Sequence, residues 1–483
     1  MTHLKNSTRI FGLLIYSIFS VNCQAQQVMA KDGSFGIDKT NKIIVWHNKN
    51  IDPALPTKAE VGSFIFNEKF DVVHKPILLS YSNALKLAYK EELYTLYITK
   101  LPIVHITVEK TVQDDSKILG YFTYFNDDKY IKNVMGIEYR GNLSLTFPKK
   151  SYDLELWTDS INKKSNDVKF EGLRSDDDWI LDGLYNEPLR MRSNLAAKLW
   201  LEIHQPHYLS SEPKAKSGFD VRYVEVFKNG QYIGIHSLSE SVDRKQLALK
   251  RNDKQIIHGE LFKASSYEGA PAFKKAPDHN NLFPHWGGFE MRYPMVDGRF
   301  HWENLNQFID LIVHGEDEEF ALKIGRQLDM DNAIDYYLLV NLLRATDNLG
   351  KNYYLARYQE KSPYFFVPWD LDGVMGIIQD GKRIPTTNDV LSNGLFDRLL
   401  KINPDGFRDR LKLRWTALRK TVFSDSKLFS KIEQTYFKLK SEKIYERELM
   451  VWPGERTIED DYEYLNQWLR DRLIYLDVHF ENL

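Results

Sequence analysis

The residues with most chemistry to offer lie between 331 and 376. Four residues separate Asp347 from Asn352, and Asp370-Leu-Asp372-Gly373 follows after two aromatic runs, 352–358 and 364–370. Carboxylate and amide oxygens are hard ligands, and a convergent set of them suits Mg2+ or Mn2+ together with nucleotide phosphates. If the runs pair as a hairpin around the loop 359–363, Tyr358 faces Tyr364 and Asn352 lands opposite Asp370. Paired residues sit side by side on one sheet face, about 5 Å apart. Asp372 then points the same way as Asp370 if the chain stays extended, because side chains alternate. Taken singly, Asp347 and Asn352 read as caps of a helix and a turn, and Asp370 as the start of a loop. Taken together in this register, a metal–nucleotide site outweighs those readings.

A helix expected over 331–346 must carry Asp347. It is apolar on nearly every face, which predicts burial. A carboxylate at its C-terminal end opposes the helix dipole unless a metal, a lysine or a substrate hydroxyl compensates. Phosphates also need a cation. In the strand expected over 150–157, Lys150 shares a face with Tyr152, Leu154 and Leu156, whereas Lys149 shares the other with Ser151, Asp153 and Glu155. Lys150 is therefore the inward candidate and Lys149 is expected to face water. Lys150 snorkelling to solvent at the strand end is the equal alternative.

Around these residues the chain reads as α+β. Residues 26 to about 110 suggest a small β-rich segment, with Leu101–Ile106 opening the main domain, 111–483. Polar residues 111–117 and 126–133 suggest loops. Strands are expected at 136–140, 221–228 and 231–238, the last two joined by Asn229-Gly230, a strong hairpin signal. Helices are expected at 188–203, 302–313 and 395–402. Beyond about 405 the chain reads as helical, with an apolar stripe over 458–480 that suits core packing. Residues 264–300, rich in Pro, Gly and His, read as a long loop able to wall a substrate site. Asp176-Asp177-Asp178 reads as a solvated acidic turn rather than a metal cluster.

Composition narrows the function classes. The chain has 483 residues, 43% of them hydrophobic, and a formal net charge of −2. That balance excludes a non-specific nucleic-acid binder, which needs basic excess to displace counterions. The single cysteine, Cys23, excludes an internal disulfide. Oligomeric state is not legible.

Several blocks match a known family in order. Arg140-Gly141-Asn142 with Phe147-Pro148-Lys149-Lys150-Ser151-Tyr152, then Asp178-Trp179-Ile180-Leu181 and Leu189-Arg190-Met191-Arg192-Ser193-Asn194, then Tyr223 to Glu240, and finally Asp347…Asn352-Tyr353-Tyr354 and Pro368-Trp369-Asp370-Leu371-Asp372 resemble the CotH family of secreted, atypical protein kinases. The resemblance spans roughly 100–420. Leu143 and Glu187 depart from the family pattern. The resemblance implies a divergent kinase-like fold and metal-dependent transfer of phosphate from ATP to protein hydroxyls, serine or threonine foremost. By that resemblance Asp347 is the catalytic Asp, Asn352, Asp370 and Asp372 are metal ligands, and Arg140 and Lys150 contact phosphates. Glu240 positions the lysine or the nucleotide, or is simply an exposed strand end. Two alternatives stay open: a non-catalytic surface or glycan-binding protein on the same scaffold, and a nucleotidyl transferase.

Lys5 and Arg9 precede the apolar run Ile10–Val21, the pattern of an export signal. Cleavage after Ala25 gives a secreted or periplasmic protein, and lipidation at Cys23 gives a membrane-anchored one at the cell surface; a buried N-terminal helix is the third option. N-terminal mass analysis of native material should find the mature chain starting at Cys23 or Gln26; an intact Met1 in the cytoplasm would contradict export.

Overall fold

The computed structural model describes residues 26–483 apart from 52–57, 60, 76, 128, 254–255, 268, 296–298 and 455. The apolar run Ile10–Val21 and Cys23 lie outside the described residues. Within them, no helix is long and apolar enough to cross a membrane.

The architecture is mixed α+β. Seven strands between Gln26 and Thr99 form the first sheet, around Ile44, Trp46, Phe64, Phe70, Leu87 and Leu96. A second group of seven strands closes into a barrel. Its first strand, Ile103–Val108, pairs in parallel with Val221–Lys228 and seals it. The β-rich segment thus ends at Thr99, about ten residues before the boundary expected from sequence. The stretch 126–133 is not a loop: Ile118–Asn126 turns at once into Lys129–Arg140. The first residues of that second strand are exposed or half-buried, so their polarity reflects solvent contact rather than irregular structure. Asn229 and Gly230 take φ values of 48° and 76° and join paired Lys228 and Gln231, as the turn signal predicts.

A third sheet of five strands carries the hairpin of interest. One of its strands, Phe289–Tyr293, comes from the segment 264–300, which is therefore only partly loop. The hairpin strands Tyr353–Arg357 and Tyr364–Pro368 are buried at every position. The second is an edge strand, whose free backbone groups must find partners. The side chain of buried Asn332 supplies both, donating to the Phe366 carbonyl at 3.0 Å and accepting the Phe366 N–H at 2.6 Å. Asn332 belongs to the helix Met330–Leu343, buried throughout except at Asp331, as its apolar surface predicts. The helix Ile458–Glu481 buries Leu465, Trp468, Leu469, Leu473 and Leu476, so its stripe is core.

The short helix Ile444–Val451 ties these parts together through two consecutive buried charges. Arg447 pairs with Glu225 of the barrel, donates to Thr99 of the first sheet, and donates to the Glu442 carbonyl at 2.6 Å. Glu448 pairs with Lys149 and with Arg190, and accepts the Ile235 N–H at 2.9 Å. Arg447 and Glu225 have no exposed surface. Removing one partner strands the other as an uncompensated buried charge. Arg447→Met should therefore cost about 3–5 kcal/mol, measured by urea unfolding, and adding Glu225→Gln should recover part of that loss.

Candidate functional site

The hairpin register differs by one residue from the expected one. Arg357 pairs with Tyr364 and Tyr353 with Pro368, so the loop is 358–363 and Asn352 stands opposite Trp369, not Asp370. In a continuous ladder a one-residue slip would send the two side chains to opposite faces. The ladder stops first. The Trp369 N–H donates to the Asn352 carbonyl at 3.0 Å, and beyond that bond both flanking residues turn left-handed, Asn352 at φ 59° and Asp370 at φ 54°. Asn and Asp tolerate this region better than other residues with a Cβ. The side chain of buried Asn348 staples the two corners, donating to the Asn352 carbonyl at 2.6 Å and the Trp369 carbonyl at 2.8 Å. Neither face alternation nor ideal register therefore decides where these two side chains point.

Asp347 is not in the last turn of the α-helix. That helix ends at Leu343, with Arg344 left-handed at φ 52°, and Asp347 sits in the following 3-10 turn, Thr346–Leu349. Its charge is compensated by Lys351, whose ammonium lies 2.8 Å from Oδ2. The single hydroxyl proton of Tyr267 is shared between two acceptors, Oδ1 at 2.8 Å and the Thr346 carbonyl at 2.5 Å. Tyr267 comes from the segment 264–300, whose reading as a site wall anticipated a contribution but not this residue.

Charge gathers Asp347, Asp370 and Asp372 into one field. Asp370 is exposed and Asp372 half-buried, yet both carboxyls are pushed up. Desolvation by the surrounding chain is the largest cause for each. At Asp370 the Arg140 guanidinium then pulls down, Asp182 pushes up, Lys263 pulls down and Asp347 pushes up. Asp372 is pushed further by Asp370, Asp182 and Asp347, and lies well above the usual carboxylate range. Asp182 is a fourth acid that sequence reasoning missed. It ends the barrel strand Asp178–Asp182, and its Oδ1 accepts the Ser151 hydroxyl and the Leu184 N–H, each at 3.1 Å.

The cations are placed differently from the expectation. Lys149, expected in water, is 1% exposed; its ammonium donates to the Ile235 carbonyl at 2.6 Å and pairs with Glu448. Burial drives its pKa down to about 8 against the pull of Glu448. Lys150 is half-buried and turns to the Leu145 carbonyl at 2.6 Å. The face assignment failed because the strand begins at Ser151, so alternation does not reach either lysine. Arg140, by contrast, acts directly on Asp370 and lies 5.3 Å from the ring centre of Trp369. Lys263, at the Tyr354 level of the third sheet, is the second cation acting on Asp370 and was not anticipated.

Glu240 is neither exposed nor paired with Lys149 or Lys150. It is fully buried and holds Lys216, the Arg174 N–H at 2.7 Å, and the Asp220 N–H and Gln246 amide at 3.1 Å each. Glu187 accepts the Arg192 N–H at 2.7 Å and pairs with Arg192, capping the helix Arg192–Ile203. Asp176 and Asp177 are buried rather than solvated, and with Asp167 they are the acidic group whose ligand atoms lie within 4.8 Å of one another among the described residues. Arg174 and Lys245 already neutralise them. Two concavities lie away from Asp347, Asp370 and Asp372. One, of about 290 Å3, is lined by Phe35, Phe70, Tyr94 and Phe227. The other, of about 720 Å3, lies beside Arg383 and Tyr464.

The residue types suit a hard divalent cation: Asp370 and Asp372 are carboxylates that repel each other, and Asn352 carries an amide oxygen. Because both carboxyls are pushed up, the folded state binds protons more tightly than the unfolded one. Stability of the metal-free protein should then fall as pH rises from about 4 through the raised values. Mg2+ or Mn2+ should flatten that slope, and Asp372→Asn should raise the thermal midpoint at pH 7 in chelator while removing the gain from metal. A metal response unchanged in Asp372→Asn would contradict the assignment of this carboxylate.

Comparison with known proteins bears on the same region. The family model described as "CotH kinase protein" matches residues 137–476. The chain is also similar to Inner spore coat protein H of Bacillus subtilis (strain 168), at 21% identity over 248 residues, 51% of this chain and 60% of that protein. The chain thus matches less than two thirds of that relative's length. The family match covers the barrel from Ile137, near the end of the strand Lys129–Arg140, onward, the third sheet and most of the helical region, including all the acids of the site, and on that extent of agreement the chain belongs to the CotH kinase protein family.

Proposed function

We propose that the protein is an exported phosphotransferase with a divergent kinase-like fold, moving the γ-phosphate of ATP to a hydroxyl of a protein substrate, serine or threonine foremost. The observation that carries this reading is that Asp347, Asp370 and Asp372 lie within electrostatic reach of one another, with Arg140 and Lys263 acting on Asp370. Family membership supports it. Export rests on the Lys5, Arg9 and Ile10–Val21 pattern.

Asn352, Asp370 and Asp372 would hold a Mg2+ or Mn2+ ion, which supplies charge neutralisation and orientation of the phosphate chain. Asp347 accepts the proton of the acceptor hydroxyl as its oxygen bonds to the γ-phosphorus and the bond to the bridging oxygen breaks, releasing ADP. Arg140 and Lys263 sit where they balance phosphate charge. Lys149 is committed to Glu448 and Lys150 to the Leu145 carbonyl, so neither is assigned that task. Nucleotidyl transfer uses the same metal and differs in which phosphate is retained.

Incubation with γ-labelled or α-labelled ATP separates these outcomes: transfer of the γ-label marks a kinase, transfer of the α-label a nucleotidyl transferase, and neither a binding protein. Asp347→Ala should lower γ-transfer by roughly 10²–10⁴ while sparing nucleotide binding. Asp370→Ala should abolish metal-dependent binding and transfer together. Arg140→Ala should weaken nucleotide binding more than Lys150→Ala. Unchanged transfer in both aspartate variants would end the assignment.

A further inference from the structure

Tyr267 is seated on the candidate catalytic turn with more care than a chance contact needs. Its hydroxyl reaches Asp347 Oδ1 and the Thr346 carbonyl. Its ring packs closely on Gly350: a Cβ built there would fall 2.4 Å from the ring, and Gly350 has φ −145°, so close approach and not backbone conformation is what requires glycine. Lys351, which holds the other oxygen of Asp347, has its ammonium 5.5 Å from the Tyr267 ring centre.

The strand and loop that bring Tyr267 there are anchored on both sides. The Ala264 carbonyl accepts the Asn352 N–H at 3.1 Å, the Ser265 N–H donates to the Gly288 carbonyl at 2.9 Å, and the Ala270 N–H donates to the Gly287 carbonyl at 2.8 Å. The Asn352 bond couples this segment to one of the two left-handed corners.

We propose that Tyr267 is the positioning residue of Asp347: its hydroxyl, with Lys351, fixes the rotamer of the carboxylate that takes the acceptor proton. The proposal rests on the phosphotransfer reading. It differs from the other role the contact allows, in which the phenol stands in the acceptor's place and must be displaced. The two roles predict opposite signs.

The test uses the full chain with γ-labelled ATP, Mn2+ and dephosphorylated casein as a generic hydroxyl-bearing acceptor. Tyr267→Phe keeps the ring on Gly350 and removes only the donor. A hydrogen bond to a charged group is worth enough that kcat should fall about ten- to a hundred-fold, with the KM for ATP and calorimetric nucleotide binding unchanged. In the Asp347→Ala background the same change should have no further effect, because a positioning residue acts through the group it positions. An equal loss in both backgrounds would reveal a merely structural role and overturn the proposal. An unchanged kcat, or a gain in kcat/KM for casein, would overturn it too, the gain pointing to a displaced occupant. If wild type transfers no label, or Asp347→Ala matches it, the phosphotransfer reading itself fails and takes the proposal with it; the double-variant comparison thus tells the two failures apart.

Discussion

Two adjacent residues on one short helix, Arg447 and Glu448, set the geometry on which the rest depends. Each carries a charge with almost no exposed surface. Burying charge is expensive and is offset only by close pairing with every remaining donor and acceptor engaged. Glu225 meets that demand through Arg447, the Tyr232 hydroxyl at 2.6 Å and the Thr99 hydroxyl at 3.1 Å. Glu448 meets it through Lys149, Arg190 and a backbone N–H. The partners come from the first sheet, the barrel and the segment leading into the helix Arg192–Ile203. Hydrophobic packing would tolerate sliding of these parts over one another; two fully paired buried charges do not, because any shift leaves a charge without its partner. His236, buried beside Lys149, is pushed well below its ordinary pKa and stays neutral, so it adds no third positive charge there.

The acids of the candidate site present the opposite situation. At the helix Ile444–Val451 opposite charges are matched. At Asp182, Asp347, Asp370 and Asp372 like charges are held together, and Arg140 and Lys263 answer only part of the repulsion. A fold keeps such an arrangement only if the backbone around it is over-determined. Here the bonds from Asn348 to two carbonyls, the Asn352–Trp369 bond and the Asn186 amide on the Asp372 carbonyl at 3.3 Å do the holding. The barrel contributes Asp182 and Arg140, and the third sheet contributes Lys263 and the hairpin corners.

Much of this was legible in the sequence, and the misses share a cause. The hairpin at Asn229-Gly230, the buried helix before Asp347 and the apolar stripe of the last helix follow from turn chemistry and periodicity, which act locally. The grouping of Asp347, Asp370 and Asp372 was also readable from spacing. What failed was face assignment at strand ends. Lys149 and Lys150 lie just before Ser151, where the ladder has not begun; Lys149 is held inside by Glu448, almost three hundred residues away, and Lys150 turns to the Leu145 carbonyl. Glu240 was misread for the same reason: four donors from separate segments converge on it. Asp182, Lys263 and Tyr267 carry no local mark that sets them apart from other polar residues. Only the closing of the barrel and the laying of the third sheet beside it bring them to the acids.

The hairpin shows what a register one residue away from the expected one does to Asn352 and Asp370. The expected pairing placed Asn352 opposite Asp370 within a regular ladder. The actual pairing places Asn352 opposite Trp369. In a strict strand that slip would separate the two side chains. Left-handed conformation at both residues, Asn352 level with Trp369 and Asp370 one residue beyond it, breaks the alternation on both strands, so the outcome no longer depends on parity. The conformation is unfavourable for a residue with a Cβ by about 1 kcal/mol, and glycine would remove that cost. Glycine would also remove the amide and the carboxylate. Asn and Asp are the side chains that accept the left-handed region most readily while still offering a hard oxygen, so backbone geometry and ligand chemistry select the same residue types at these two positions. The left-handed constraint is therefore local at the corners, and the single amide group of Asn348 ties the two together.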